Sequence, residues 1–591
     1  MRRTLPVAAV LAVALSGAAP AYASPAAPST TLTGTLIAPK AGPPTVTAQD
    51  VRFTPGRSLR YGSARDAGLL PEPVAAIAGD AARYLEPAPT RPLYPGAVVL
   101  AARDGVIVAH EAMGYALRYS DDKPTELPRD QWIPMRADTI FDLASVTKLF
   151  TALVAVQELE RGTLSLDAPV ASYLPDFGQR GKETITVRQL LTHTSGLRPD
   201  HPFYNYPTRA EQLAALYAET PQAPPDTRYV YSDLNLIALQ LVLEKATGRS
   251  LDALVRDGIT GPLGMADTGY NPAASLRPRI AATEYQHKPP ARVDRGLVWG
   301  EVHDENAWAL GGVAGHAGMF STAHDLAVLA QTLLNGGRYG RARILSEDAT
   351  RLLLTDFNQN FPANSHGLGF ELDQRWYMDG LSSPVTAGHT GYTGTSMVID
   401  PLSRSFMILL TNRVHPSREW GSINPARRAV ARDLARAVRV RPAEGRTAWF
   451  SQTADAATAG LTVPVPADAA TVAFDLWYDT EETDTATLEA SLDGQTWSRV
   501  PFSLRSGQYS WSVNGTVAGF AGRRWARAAA ELPAGTTQLR WRYTSDQLYQ
   551  GRGVYVDGVR IWDTQDALLF NGERPSDAAR FQSSGWIRSR D

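Results

Sequence analysis

The apolar pattern first predicts a region in which strands flank helices. Apolar runs at 96–102 and 106–109 lie on either side of Asp104-Gly105, a dipeptide typical of tight hairpins. Helical periodicity follows, and strand patterns return at 395–410. Strands at both ends with helices between them predict an α+β region, in which one antiparallel sheet is closed by the two ends and backed by helices.

The last quarter of the chain alternates apolar and polar residues, as at Val472, Phe474 and Leu476. Eight of the 13 tryptophans lie there. A period of two with frequent Asp-Gly turns predicts strands throughout and favours an all-β sandwich over 442–591. The α+β region is therefore expected to occupy 63–441.

The first 23 residues have the pattern of a secretory signal peptide. Two arginines precede an apolar stretch at 5–15, and an Ala-Tyr-Ala cleavage pattern ends at Ala23. That stretch is too short to span a bilayer, so we expect a secreted protein cleaved near Ala23, without a membrane span. The Pro-, Ala- and Thr-rich segment 24–62 predicts a linker or loosely packed arm.

Composition excludes several classes of protein. A formal net charge of -2 and a pI near 6.6 give no electrostatic footprint for nucleic acid or an anionic membrane. The absence of cysteine excludes disulfides and a thiol nucleophile. Only six of the 58 basic residues are lysines, so a lysine inside an apolar helix stands out.

Such a lysine follows a serine at the start of the most apolar predicted helix. From Ser145 to Arg161 the chain has no Pro or Gly, and Lys148, three residues after Ser145, lies on the same helical face. Burial could push this amine toward neutrality and so activate the serine as a nucleophile. Ser120 and Lys123 have the same spacing but lie in a polar loop pattern, which shows that spacing alone is not specific.

A second candidate element is Tyr231-Ser232-Asp233, at the entry to another apolar helix. The phenol of Tyr231 could move a proton if it lay beside the lysine. The alternative is that Tyr231 is a core aromatic and that Ser232 or Asp233 is merely an N-cap.

The third element is His389-Thr390-Gly391, which leads through Tyr392 into the first strand of the late hairpin. Small residues there would let a substrate lie along the strand, and backbone N–H groups could bind an oxyanion. The alternative is a glycine-rich strand entrance with an ordinary surface histidine.

In this order the three stretches resemble the S-x-x-K, Y-x-N/D and K/H-x-G motifs of the serine β-lactamase and penicillin-binding protein superfamily. The resemblance covers roughly 65–440 and is closest to the class C-like serine hydrolases, which include D,D-peptidases, esterases and muramyl-peptide amidases. Two further phrases, at 190–197 and 315–322, support it. It implies a β-lactamase/D,D-peptidase-like fold.

The resemblance also implies roles for individual residues. Ser145 would be the acylated nucleophile, Lys148 would ease removal of its proton, and Tyr231 would act as general base and then as general acid. The amides of Ser145 and Tyr392 would form the oxyanion hole. This chemistry transfers an acyl group to water in two steps and needs no cofactor.

Substrate would contact Asp233, His389, Thr390 and Gly391. Asp233 stands where asparagine is frequent, so it can accept but not donate when ionised, and could clamp Lys148 rather than a substrate amide. His389 replaces a lysine and is neutral or only partly charged near pH 7, which weakens its grip on a carboxylate. Both departures argue against efficient β-lactam hydrolysis.

His303 and Asp304 are expected in a substrate-pocket loop, by analogy with a similar phrase in the muramyl-amidase-like branch. The spacing of the histidines matches no common metal motif, so no metal site is expected. The C-terminal region loosely resembles jelly-roll-like modules of secreted bacterial hydrolases. Exposed tryptophans there would indicate contact with polysaccharide or cell wall; the alternative is that its tryptophans belong to the core, as most do in a sandwich. Its acidic run, 479–484, is expected to be a solvated turn rather than a calcium site.

We therefore expect a secreted serine hydrolase that acts through an acyl-enzyme on amide or ester bonds, in peptidoglycan-derived muramyl peptides or D-amino-acid peptides. Two alternatives stay open. One is a carboxylesterase for small esters, because fold and motifs do not fix the substrate. The other is a catalytically inert protein that binds cell-wall fragments.

Overall fold

The computed structural model describes residues 40–88 and 90–590. The predicted signal peptide, 1–23, and the first part of the predicted linker, 24–39, lie outside these residues. No helix in the described ranges is long and apolar enough to cross a membrane.

An eight-stranded sheet frames the first region. Its strands are β1 (Arg60–Tyr61), β2 (Gly96–Arg103), β3 (Val106–Leu117), β4 (Ile133–Pro134), β5 (Glu371–Leu372), β6 (Ala387–Gly391), β7 (Thr395–Asp400) and β8 (Ser405–Thr411). The spatial order is β5-β6-β7-β8-β2-β3-β1, with β4 beside β3, and only β1 pairs in parallel. Because β8 pairs antiparallel with β2, the two ends of the region close one sheet, as the apolar pattern predicted.

Helices cover both faces of this sheet. The longer ones are α1 (Pro71–Ala82), α2 (Thr147–Glu160), α3 (Arg209–Ala218), α4 (Asp233–Thr247), α5 (Ala323–Leu334), α6 (Glu347–Leu354) and α7 (Asn424–Ala437). Successive residues of β2 point to opposite faces, so Val98 and Leu100 join the core around α2, α4 and α5. Val99 and Ala101 join the second core, beneath α1 and α7.

The described part of the predicted linker or loosely packed arm, from residue 40 onward, is largely exposed but anchored at a few points. Val46, Ala48 and Val51 are buried in the larger core. Lys40–Ala41 forms a short parallel pairing with Tyr509–Ser510 of the C-terminal region. These contacts attach the segment to both regions of the chain.

The C-terminal region consists of two β-sheets around a separate core that includes Phe474, Leu488 and Trp541. One sheet contains Ala448–Phe450, Ala469–Asp479, Phe502–Ser506, Tyr509–Val513, Ala526–Glu531, Gly553–Asp563, Leu568–Asn571 and Ile587–Ser589, besides Lys40–Ala41. The other contains Thr458–Pro464, Thr485–Ser491, Ser498–Arg499, Thr516–Val517, Gln538–Thr544 and Gln582–Ser584. The expected all-β sandwich is present.

The acidic run at 479–484 is only in part the solvated turn that its composition predicts. Asp479 is fully buried and lies 2.8 Å from Nε of Arg523, whose Nη1 lies 2.7 Å from Asp400 at the end of β7. Asp484 is also buried and accepts a hydrogen bond from the Tyr543 hydroxyl. Glu482 and Thr483, between these two aspartates, are exposed, so the run is buried at its ends and solvated at its centre. Arg523 links Asp479 of the sandwich to Asp400 of the main sheet.

Candidate active site

Ser145 lies in a single turn, 144–146, that leads directly into α2. The turn begins at Ala144, which has a φ of 45°, and Asp142 holds it by accepting a hydrogen bond from the Ala144 amide at 2.8 Å. The other oxygen of Asp142 accepts from the amide of His303 at 2.6 Å. This buried carboxyl thus positions the serine at the wall of a cavity.

The side chains of Ser145, Lys148, Tyr231 and Asp233 meet at one point. Lys148, only 1% exposed, places Nζ 2.9 Å from Ser145 Oγ and 2.7 Å from Asp233 Oδ1. Nζ also donates to the carbonyl of His316 at 3.2 Å and lies 4.8 Å from the centre of the Tyr231 ring. Two helix starts, those of α2 and α4, therefore bring a hydroxyl, an amine, a phenol and a carboxylate together.

The charge states of Lys148 and Tyr231 depend on their partners as well as on burial. Burial opposes the Lys148 ammonium, but the attraction of Asp233 and Tyr231 outweighs it and raises the Lys148 pKa above its ordinary value. Burial raises the pKa of Tyr231 to about 12, although the neighbouring Lys148 charge opposes this. At rest the site thus holds an ammonium, a neutral phenol and a carboxylate, and the neutral lysine expected from burial does not form.

The third stretch lies along the same cavity, on β6 and the turn after it. A Cβ on Gly391 would come within 2.3 Å of the Leu143 carbonyl, so only glycine allows the strand to approach the serine turn. Thr390 and Tyr392 line the cavity, and the Tyr392 amide has no hydrogen-bond partner among the described residues. A free amide beside Ser145 has the chemistry of an oxyanion donor.

His389 is a buried, neutral imidazole rather than a surface histidine. Burial, followed by the charge of Lys148, lowers its pKa to about 3. Nδ1 is 2.7 Å from the carbonyl of Thr390, and Nε2 is buried without a hydrogen-bond partner in the described chain. At neutral pH this side chain can donate or accept a hydrogen bond, but it supplies no charge for a carboxylate.

Asp233, His303 and Asp304 are engaged with protein groups. Asp233 pairs with Lys148, which is the clamp considered from the sequence. His303 places Nε2 2.8 Å from Glu284 and stacks on Tyr392, with ring centres 5.9 Å apart. Asp304 caps a short helix by accepting from the Ala307 amide at 2.7 Å. These contacts fix the loop behind the serine.

The cavity has a volume of about 540 Å³, and sequence reasoning missed four charged residues in its wall: Glu371, Arg413, Arg418 and Arg427. Arg427 of α7 donates to the carbonyls of Gly391 and Thr395, both at 2.9 Å, and keeps Nε without a partner in the described part. Glu371 of β5 pairs with Gly388, the residue before His389 on β6, and its Oε2 also has no hydrogen-bond partner in the described part. The motif pattern holds no signal for either, because β5 and α7 reach the site only through the tertiary fold.

Burial shifts the pKa values of both groups toward their neutral forms. It raises the pKa of Glu371 to about 7, against the opposing effects of a hydrogen bond from Tyr377 and the Lys148 charge. It lowers the pKa of Arg427 to about 9, and the like charge of Arg413 acts in the same direction. Arg427 still carries its charge at neutral pH. Arg413 also lines the cavity and donates to the main-chain carbonyls of Tyr392, Arg418 and Gly421, whereas Arg418 is paired with Glu284 and Glu305.

One group of side chains at the site has the atoms to ligate a metal. Asp233, Asp304 and His316 bring ligand atoms within 4.8 Å of one another. The Lys148 ammonium already lies 2.7 Å from Asp233, and His316 Nε2 is 2.9 Å from Asp304. A metal ion would therefore have to displace or repel the lysine on which the serine depends.

The cluster of Ser145, Lys148 and Tyr231 lies beside a glycine-containing strand of an antiparallel sheet and at the start of a buried helix. This arrangement defines a serine hydrolase of the penicillin-binding protein type. The family model described as Beta-lactamase matches residues 81–432. The chain belongs to the β-lactamase family.

Curated relatives agree with this assignment. A protein of Escherichia coli K12, provisionally named a D-alanyl-D-alanine carboxypeptidase, is 34% identical over 352 residues, which cover 54% of this chain and 79% of that protein. A Salmonella agona protein of the same name is 33% identical over 363 residues, covering 56% and 82%. A solved penicillin-binding protein homologue from Caulobacter crescentus is 21% identical, covers 62% of this chain and 99% of its own, and has a TM-score of 0.48, too low to support an argument.

Proposed function

We propose that this serine hydrolase is exported and cleaves amide bonds near the C-terminus of D-amino-acid peptides derived from peptidoglycan. The contact of Ser145 Oγ with Lys148 Nζ at 2.9 Å, with Tyr231 in the same cavity, is the observation that carries the proposal. The names of the curated relatives support this peptide class. The signal-like pattern at 1–23 supports export.

The proposed reaction begins with the loss of one proton from the Lys148–Tyr231 pair, which then serves as the base. Ser145 Oγ attacks the substrate carbonyl carbon while its proton passes to this pair. The amides of Ser145 and Tyr392 bind the oxyanion, a contribution of about 2.7–4 kcal/mol per donor in comparable sites. The pair returns the proton to the leaving amine, and water then repeats the sequence on the acyl-enzyme.

Arg427 is proposed as the group that recognises the substrate's terminal carboxylate. The neutral His389 cannot supply a counter-charge, whereas Arg427 lines the same cavity as a cation with a free Nε. A charged hydrogen bond of this kind contributes more than a neutral one. Thr390 and Gly391 would hold the peptide backbone beside it.

The test compares a peptide ending in D-Ala-D-Ala, its C-terminal amide, a muramyl tripeptide and p-nitrophenyl butyrate. We expect the peptides with a free carboxylate to be cleaved fastest, and Ser145→Ala to abolish all turnover. Rapid cleavage of the butyrate with none of the peptides would instead support the small-ester carboxylesterase, which the uncharged His389 favours. A stable acyl-enzyme that is never hydrolysed would support the inert binding protein.

We further propose that the sandwich contacts polysaccharide or cell wall. It contains a cavity of about 660 Å³ whose walls include Trp449, Phe581, Asp557 and Glu573. The ring centres lie 5.4 Å apart, and Arg588 lies over the Trp449 ring, 5.0 Å from its centre. Aromatic rings beside carboxylates and a guanidinium are a combination suited to sugar rings. Trp449→Ala should weaken sedimentation with insoluble peptidoglycan. The control is Trp497→Ala, which changes a half-buried tryptophan elsewhere in the sandwich and should not weaken it. If both variants sediment equally, the proposed site is contradicted.

A further inference from the structure

A second charged cavity lies at the opposite end of the main sheet from Ser145. Thr395, at the first end of β7, contacts the serine turn through the Leu143 carbonyl, whereas Arg404 follows the other end of the strand. β7 is six residues long, so its two ends, one at the serine turn and one near Arg404, lie about 20 Å apart. The cavity has a volume of about 490 Å³ and is independent of the active site.

Its walls carry a strong excess of positive charge. Six arginines and two aspartates line the cavity, which gives a surplus of four positive charges, whereas the whole chain has a formal net charge of -2. The arginines are Arg57, Arg60, Arg103, Arg404, Arg439 and Arg441. They come from four separate parts of the chain, so the fold rather than a local run of sequence gathers them. Concentrated charge of one sign in a concave surface attracts counter-ions.

The two carboxylates do not neutralise the set. Asp104 is engaged with Arg404, at 2.8 Å from Nε and 3.0 Å from Nη2. Asp66 accepts hydrogen bonds from the amide and hydroxyl of Ser63, at 2.8 and 2.7 Å. Asp66 also interacts electrostatically with Arg60, so the two aspartates offset at most two of the six arginine charges.

Arg103 is held in place within this set. Nε donates to the carbonyl of Ser403 at 2.9 Å, and Nη1 donates to those of Ala67 and Gly68 at 2.9 and 3.0 Å. Nη2 makes no hydrogen bond within the described residues, so a fixed donor remains. Burial lowers the pKa of Arg103; the charge of Asp104 opposes this, and the charge of Arg404 adds to it.

We propose that this cavity binds a phosphoryl group through Arg57, Arg60, Arg103 and Arg441. Guanidinium groups pair with oxyanions through planar, bidentate hydrogen bonds. Four of them offer more donors than the two oxygens of one carboxylate can accept, whereas a phosphoryl group offers three terminal oxygens and up to two charges. The ligand is therefore a phosphate ester or polyphosphate, either free or part of a polymer.

The test is calorimetric titration of the full chain, at low ionic strength, with pyrophosphate and with a soluble linear polyphosphate. We expect wild-type protein to bind, Arg60→Gln and Arg441→Gln each to weaken binding about tenfold, and their combination about a hundredfold. Arg505→Gln, an exposed arginine on the sandwich, is the matched control and should bind as wild type does. Ester turnover at Ser145 should be the same in all four variants, which also shows that they are folded.

Either of two results would overturn the site: no binding of pyrophosphate or polyphosphate by wild type, or full binding by the double variant. The second result would place the anion elsewhere, for example among the arginines near Ser145. If the double variant loses binding, the site is supported, and the relative affinities for pyrophosphate and polyphosphate then identify the kind of ligand. Tighter binding of polyphosphate per phosphoryl group indicates a polymer, and equal affinity indicates a free phosphate ester.

Discussion

Asp233→Asn should move the acid limb of the kcat/KM pH profile to lower pH by about 1 to 3 units. Lys148 is nearly inaccessible to water, and its ammonium lies 2.7 Å from Asp233 Oδ1. An opposite charge at this distance raises the pKa of a cation by about 1–3 units, or about 1.4–4 kcal/mol, and here it outweighs burial. Asparagine keeps the shape but removes the charge, so burial alone should then lower the pKa of Lys148.

The catalytic pair would then lose its proton more easily, and the active form would populate at lower pH. The assay is the hydrolysis of p-nitrophenyl butyrate between about pH 5 and about pH 10, with rates normalised to the acylatable fraction of enzyme. Asp130→Asn, an exposed aspartate, is the control and should leave the profile unchanged. An acid limb that stays in place or rises in Asp233→Asn would refute the assignment of Asp233 as the group that holds Lys148 charged.

Three further perturbations test other parts of the structure. Tyr231→Phe should lower kcat by about 10²–10⁴-fold in steady-state assays while thermal unfolding is unchanged; near-wild-type turnover would exclude the phenol from proton transfer. Burial raises the pKa of Glu371 from 4.5 to about 7, so its ionisation costs stability as pH rises through that window. Glu371→Gln should therefore raise the free energy of unfolding by up to about 3 kcal/mol more at pH 8 than at pH 5, measured by urea unfolding. An equal change at the two pH values would contradict the raised pKa of Glu371. Arg523→Met leaves the buried Asp400 without its arginine and Asp479 with only the more distant Arg375, at 4.0 Å, so it should cost about 3–5 kcal/mol. Arg505→Met should cost almost nothing, and equal unfolding midpoints for the two variants would exclude the bridge between sandwich and sheet.

The sequence predicted those parts of the site that local geometry determines. Ser145 and Lys148 are neighbours on one helix, so their contact follows from a spacing of three residues. The approach of Tyr231 could be expected only from the family resemblance, because it lies on another helix start. Arg427 and Glu371 reach the cavity through strand pairing and helix packing that no motif records.

The largest correction concerns charge rather than position. Burial suggested a lysine near neutrality, and Lys148 is indeed buried, but the Asp233 carboxylate at 2.7 Å reverses the balance. Sequence alone cannot weigh desolvation against a specific partner, because both depend on distances of a few ångströms. The same reasoning explains Asp479, where a buried Arg523 stabilises a carboxylate that composition placed in solvent.

The most direct test of the account is to identify the acylated residue during turnover. The enzyme is mixed with p-nitrophenyl butyrate, quenched in acid in the steady state, digested and analysed by mass spectrometry. We predict a single butyryl group on the peptide that contains Ser145, and none in Ser145→Ala. An acyl group on any other residue, or turnover without an acyl-enzyme, would contradict the central claim.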